Sequence, residues 1–207
     1  INVGARDFLV AVNYNLNTTS TRRAMAIAFD VREKGRKMRE GGSLTGKVLK
    51  DENGKDRWQP GTLKGCKAIG WYIDEYGIAQ VSMNITDIKT TPLHVAYEEV
   101  SRAAAARGLR VTGAEIVGLV PKRVLMEAGK FYLEKQERSL GISDEEIMKI
   151  AVKSMSLDDL KPFNPHEKVI EYLMEVVSNI AARNKAKSIS NVSMCTSCID
   201  HKNVDRK

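Results

Sequence analysis

Three histidines and three cysteines in 207 residues leave little room for the commoner kinds of side-chain chemistry. An odd, small number of cysteines builds no disulfide framework. Cys66 stands in an apolar, strand-like run, where a reduced thiol packs as a small hydrophobe, while Cys195 and Cys198 stand in a polar tail. That usage fits a reducing compartment, and the chain is expected to be cytoplasmic. Cys195, Cys198 and His201 have metal-like spacing, but a structural zinc site takes four ligands and no second pair exists in the sequence, so no metal is expected. So few histidines also limit the general bases, and neither a Ser, His and Asp constellation nor a clustered carboxylate pair suggests a hydrolase. No apolar run approaches the roughly 20 residues that a membrane span needs. The segment from Ile1 to Asp7 lacks the basic-then-apolar order of a secretory signal, and with no initiator methionine the chain is expected to be part of a longer polypeptide.

What the chain does have is an ordinary globular balance, 43% hydrophobic and 29% charged, with 33 Lys and Arg against 26 Asp and Glu. The net charge of +7 favours anionic partners without naming one. Arg32, Lys34, Arg36, Lys37 and Arg39 form the one local cluster of cations, and the solvated end of a helix accounts for it.

The pattern of apolar residues predicts the elements. From Phe8 to Leu16, Phe8, Val10, Val12, Tyr14 and Leu16 fall on one side, with Asn13 and Asn15 on the other. The run Asn17 to Thr21 supplies several possible helix caps, and Ala24, Ile27, Ala28 and Val31 then recur at helical spacing before Gly35. An exposed excursion over Arg36 to Leu63 carries an Asn53-Gly54 turn signal. Cys66 to Asp74 is the second strand, and Glu75-Tyr76-Gly77 turns it into a third, Ile78 to Ile85, in which Gln80, Ser82 and Asn84 alternate with Val81, Met83 and Ile85. Thr91 is the expected cap, and Pro92 the start, of a helix through Leu93, Ala96 and Val100, and Leu109 to Val117 is the fourth strand. Strand, helix, strand, strand, helix, strand is a ferredoxin-like βαββαβ arrangement, an α+β fold with an antiparallel sheet and its helices on one face. Residues 1–120 are the expected core. Residues 121–182 are a C-terminal helical extension that includes a capping box at Ser143 to Glu146 and a further helix from Asn164 through Val169, Leu173 and Val177. Residues 183–207 are expected to be a poorly ordered tail.

Asn is uncommon inside strands, and a solvated sheet face usually carries Lys, Glu and Thr. In this topology the first and third strands are central neighbours, so Asn13, Asn15, Gln80, Ser82 and Asn84 would line the helix-free face as neutral hydrogen-bonding groups. Such a face either reads a polar ligand or packs on another domain. The alternation leaves open which face Trp71 takes. His94, in the first turn of the second helix, is either a packing histidine or a neutral contact to a ligand carboxylate. Glu115 is a carboxylate in an apolar strand and asks for a partner. Gly41, Gly46 and Lys47 imitate a phosphate-binding loop, but Val48 stands where Ser or Thr would hold magnesium. A single-strand RNA binder would need exposed aromatics on the central strands, and the third strand has none, so no nucleic acid is expected.

Six segments in order resemble the glutamate formimidoyltransferase family. They are Gly4-Ala5-Arg6-Asp7-Phe8-Leu9-Val10-Ala11, Ala68-Ile69-Gly70-Trp71-Tyr72, Ala79-Gln80-Val81-Ser82-Met83-Asn84, Leu93-His94-Val95-Ala96-Tyr97-Glu98-Glu99, Glu115-Ile116-Val117-Gly118-Leu119-Val120-Pro121 and Leu160-Lys161-Pro162-Phe163. The resemblance implies the C-terminal subdomain of a transferase that moves a formimino group from N-formimino-L-glutamate to tetrahydrofolate, its co-substrate, in histidine degradation. It implies a homodimer, an N-terminal subdomain as partner, and a tunnel between the two sheets that holds folate and formiminoglutamate. On this reading Asn13, Asn15, Trp71, Gln80, Ser82, Asn84, His94 and Glu115 are substrate- or folate-binding candidates. The family's catalytic histidine belongs to the N-terminal subdomain, so none of the three histidines here takes a catalytic role and this half alone is expected to be inactive. A further ferredoxin-like half of ~180 residues is expected before Ile1. The competing expectation is a non-catalytic ferredoxin-like binding or assembly module.

Overall fold

A computed structural model of the chain describes residues 7–42 and 46–181. The tail with Cys195, Cys198 and His201 lies outside the described residues, as do Gly4, Ala5 and Arg6 of the first family-like segment.

Alternation sets the first strand, β1 (Val10–Leu16), whose Val10, Val12, Tyr14 and Leu16 are all fully buried. Phe8 precedes the strand and is exposed, so the apolar row is one residue shorter than its pattern suggests. The helix α1 (Thr21–Val31) begins at Ser20, whose hydroxyl accepts from the Arg23 amide, and it buries Ala24, Ile27, Ala28 and Val31. Gly35, at φ 66°, then turns the chain into the excursion. There β2 (Arg36–Lys37) pairs with β3 (Trp58–Gln59), bridges at Arg39–Val48 and Lys50–Asp56 set a third segment against both arms, and Gly54 at φ 74° lies in the turn between Lys50 and Asp56. Asp30 of α1 anchors the excursion to the body by pairing with both Arg36 and Arg107.

Next come β4 (Cys66–Ile73) and β5 (Ile78–Ile85), joined at Gly77, then α2 (Leu93–Ala105) and β6 (Val111–Val117). The sheet order is β4-β5-β1-β6 with every neighbouring pair antiparallel, which is the ferredoxin-like arrangement. Both α1 and α2 lie on one side, over a core that includes Val81, Met83 and Ile85 of β5 and Leu93, Ala96 and Val100 of α2. Each fully buried aliphatic side chain there contributes about 1.5–3 kcal/mol. Cys66 is a free, buried thiol on that face.

The cap of α2 differs from expectation. Pro92 holds the N-cap position with no side-chain bond, because the buried Thr91 hydroxyl donates instead to the Lys64 carbonyl at 2.6 Å and ties the helix start to the approach to β4. In the extension, α3 (Lys122–Lys135) and α4 (Asp144–Ser154) pack together, with the Ser143 hydroxyl accepting from the Glu146 amide. The helix expected from Asn164 is broken. A short α5 (Pro165–Lys168) ends at Val169, which takes extended geometry (φ −92°, ψ 122°) to bridge Val120, and residues 170–181 resume as helix. Val169 is fully buried, so a strand-like contact outcompetes the helical register, and Met174 and Val177 of the resumed helix remain exposed.

Candidate functional site

Antiparallel residues that face each other in register share a side of the sheet. Three rows therefore cross the helix-free side. The first is Lys67, Asn84, Ala11 and Val117; the second is Ile69, Ser82, Asn13 and Glu115; the third is Trp71, Gln80, Asn15 and Gly113. Gly70, between Ile69 and Trp71, faces the other way, since a Cβ there would strike the backbone of Ala24 and Met25 in α1. Trp71 thus belongs to the open side. Seven of the eight residues singled out from the sequence, Asn13, Asn15, Trp71, Gln80, Ser82, Asn84 and Glu115, meet on this one face.

The face is graded. Its middle is neutral amide and hydroxyl, and its flanks carry Ile69, Trp71 and Val117, all more than a third exposed. An apolar rim around a few fixed polar groups is the usual make-up of a ligand wall. At the β4 end a pocket of about 510 Å³ is lined by Lys67, Ile69, Ser82 and Asn84 of the sheet together with Arg32, Glu33 and Lys34. At the β6 end Glu115 is half-buried and its carboxylate has no hydrogen bond or ion pair among the described residues. The wall therefore has a cationic end and a carboxylate end with amides between. Lys67, Arg32 and Lys34 were not singled out as site residues from the sequence, where the latter two belonged to a cluster explained as a helix end.

One third of the face is closed by the chain itself. After α4 the backbone turns at Ser156, which sits at φ 46°, and the Ser156 carbonyl accepts from the Ala114 amide at 3.1 Å along the free edge of β6. This brings Asp159 against Gly113, where any Cβ would collide with it. Asp159 accepts from Asn15 Nδ2 at 2.9 Å, and Asn15 Oδ1 accepts from Gln80 Nε2 at 2.7 Å. Asn15 and Gln80 are fully buried as a result, whereas Ser82 is half-buried and Asn84 is exposed. The extension is thus more than added helices on the far layer, because its strap wraps the sheet edge. Asp159 went unnoticed in the sequence; Gly113 inside an apolar strand was the available signal of a close approach.

His94 is apart from this group. It stacks on Phe131 of α3, with ring centroids 4.4 Å apart and planes 24° apart, and its Nδ1 is buried without a partner among the described residues. Burial pushes its pKa below the ordinary 6.5, against the pull of the Glu127 and Glu98 carboxylates. The unfolded chain therefore binds a proton in the window between that lowered value and 6.5, where the native state does not, so stability falls as pH drops from 7 through this window and is unaffected by His94 above it. Replacing His94 with Phe is expected to flatten that part of the curve, measured as the urea midpoint at pH 7.5 and 5.5. An unchanged pH slope would show that the imidazole is solvated.

Among the described residues no group of three or more His, Cys, Asp and Glu is placed to hold a metal ion, and no helix is long and apolar enough to cross a membrane.

Fold and face together define a ferredoxin-like α+β module with a hydrogen-bonding wall on its helix-free side. The chain belongs to the formiminotransferase domain family, whose model matches residues 11–175. It is 44% identical over 172 residues to the formimidoyltransferase-cyclodeaminase of Gallus gallus, a match that covers 83% of this chain and 28% of that protein. The protein of the same name from Dictyostelium discoideum is 37% identical over 173 residues, covering 83% of this chain and 28% of that protein. The glutamate formimidoyltransferase of Thermoplasma acidophilum is 34% identical over 132 residues, covering 64% of this chain and 35% of that protein. The chain thus spans between 28% and 35% of the length of these relatives.

Proposed function

We propose that this chain is the C-terminal half of a glutamate formimidoyltransferase unit and that its open sheet face is one wall of the folate and substrate tunnel. The observation that carries the reading is the three-row wall of neutral amides and hydroxyls on the side of the sheet away from α1 and α2, in a chain of the formiminotransferase family that covers a fraction of its relatives.

The reaction moves the formimino carbon from N-formiminoglutamate to a nitrogen of tetrahydrofolate and leaves glutamate. Both substrates end in carboxylates, and the Arg32, Lys34 and Lys67 end of the wall offers cations for them. The amides of Asn13 and Asn84 and the Ser82 hydroxyl suit the alternating donors and acceptors of a pterin, and Trp71 presents a ring for stacking. Glu115 accepts from N–H groups at the opposite end. The base that activates the folate nitrogen belongs to the preceding half, so this half binds and orients. The N-terminal subdomain is its partner, the complete unit is a cytoplasmic homodimer, and residues 1–120 and 121–182 act as the core and extension of one subdomain. His94 supports the wall through the α2–α3 contact and holds no substrate.

The test is folinate titration of this chain with and without an added N-terminal half. It is read by quenching of Trp71 in a Trp58→Phe background, since these are the two tryptophans of the sequence. Saturable quenching is expected with the added half, and affinity should change little with salt compared with the steep fall expected of nucleic-acid binding. No folinate binding in either sample would refute the proposal.

A further inference from the structure

We infer that Asp159 is the positioning residue of this wall: its carboxylate fixes the hydrogen-bond polarity of Asn15 and Gln80, so that Gln80 holds its Oε1 ready for an N–H donor of the ligand. The inference rests on the reading of this face as a ligand wall.

An ionised carboxylate only accepts hydrogen bonds. The atom of Asn15 that meets Asp159 at 2.9 Å must therefore be its NH2, which turns Asn15 Oδ1 toward Gln80. That oxygen also only accepts, so Gln80 must give it an NH2 hydrogen at 2.7 Å and keep its own oxygen free. Either amide in isolation could be turned over without loss of shape; with Asp159 at the end of the line neither can. Thr112 adds a further donor to the same carboxylate at 3.3 Å, and Gly113 leaves the space that the carboxylate occupies.

The line ends unfinished. Gln80 Oε1 is buried and has no partner among the described residues, although Gln80 itself is completely buried. An acceptor in that position has lost its hydration with nothing in return unless something donates to it. A relay that spends a charged residue to hold an amide in one sense, and then leaves its last acceptor empty, is explained by a donor arriving from outside the chain. The register neighbour of Gln80 on the solvent flank is Trp71, 38% exposed, so a donor that reaches Gln80 arrives beside its indole. Ligand binding is thus coupled to the Trp71 environment. The donor is an N–H of either the pterin or the formimino group.

The first arm of the test needs no ligand. In the 207-residue chain, the Asn15 and Gln80 side-chain NH2 signals are followed by 15N NMR in wild type and in Asp159→Asn, whose amide can donate or accept. Shifted or doubled signals from both residues are expected, and unmoved signals would overturn the inference. The second arm uses steady-state kinetics of the full-length protein. Asp159→Asn and Gln80→Met are each expected to raise the same KM by about tenfold with little change in kcat, and the double variant to do no more than either alone, since both break one line. A rise for tetrahydrofolate places the donor on the pterin, and a rise for formiminoglutamate places it on the formimino group. If neither KM moves while Asn84→Ala raises one, the relay is wrong and the wall stands. If none of the three variants moves either KM, the wall reading fails and takes this inference with it.

Discussion

Gly70→Val is expected to destabilise the chain by about 3 kcal/mol or more, a large share of the roughly 5–15 kcal/mol that holds a domain of this kind together. The size follows from what the new side chain would meet. A Cβ at Gly70 would run into the backbone of Ala24 and Met25, so the obstacle is the α1 main chain itself and no rotamer change relieves it. Moving α1 away would lift Ala24, Ile27, Ala28 and Val31 off the sheet, and each of these is fully buried. The close approach has a functional side, because it fixes the outward face of β4 and with it Lys67, Ile69 and Trp71. Urea denaturation should show a lower midpoint at unchanged slope. Gly77→Ala is the control: it also replaces a glycine, in the turn between β4 and β5, at φ 64° but with open space around it, and should cost about 1 kcal/mol. Equal effects of the two substitutions would show that helix-to-strand contact is not what Gly70 provides.

Much of this site is legible in the sequence because its period is two. Asn13 and Asn15 alternate with Val12 and Tyr14, and Gln80, Ser82 and Asn84 with Val81 and Met83, so once β1 and β5 are neighbours the polar rows must meet. The order of elements supplied that neighbourhood. What period and order cannot carry is contact between distant segments. Asp159 reaches Asn15 across 144 positions from a loop without periodicity, and only the missing side chain at Gly113 hints that something lies there. Val169 is the opposite case, a residue whose helical spacing is real but whose bridge to Val120 wins locally. Thr91 likewise has the chemistry of a cap and uses it on Lys64 instead. Trp71 needed the position of α1 to be placed. His94 was correctly located in the first turn of α2, and its neighbour Phe131 from the extension, 37 positions on in the chain, decides its surroundings.

Asn15→Leu is expected to cost about 2–4 kcal/mol, whereas the double variant Asn15→Leu with Gln80→Leu should recover most of that loss and still leave the KM read by this line about tenfold raised in the full-length protein. The single change keeps the volume and removes both bonds of the central amide. It leaves Gln80 with a buried NH2 that has no acceptor beside an oxygen that already lacks a donor, and each such group costs about 1–3 kcal/mol. Making Gln80 apolar as well removes the stranded groups together, and two leucines facing each other across β1 and β5 pack as an ordinary cross-strand pair. The coupling between the two substitutions is therefore expected to be large and favourable, read from urea midpoints of the four members of a double-mutant cycle. Purely additive losses would mean that the two amides are independent structural residues. If stability returns and the KM stays raised, the buried amides are explained by what they hold and not by the fold, which would be served as well by a leucine pair. This asymmetry is the physical content of the functional reading: a sheet that needs only to pack on its neighbour has no use for a polar row oriented by a carboxylate from a distant loop.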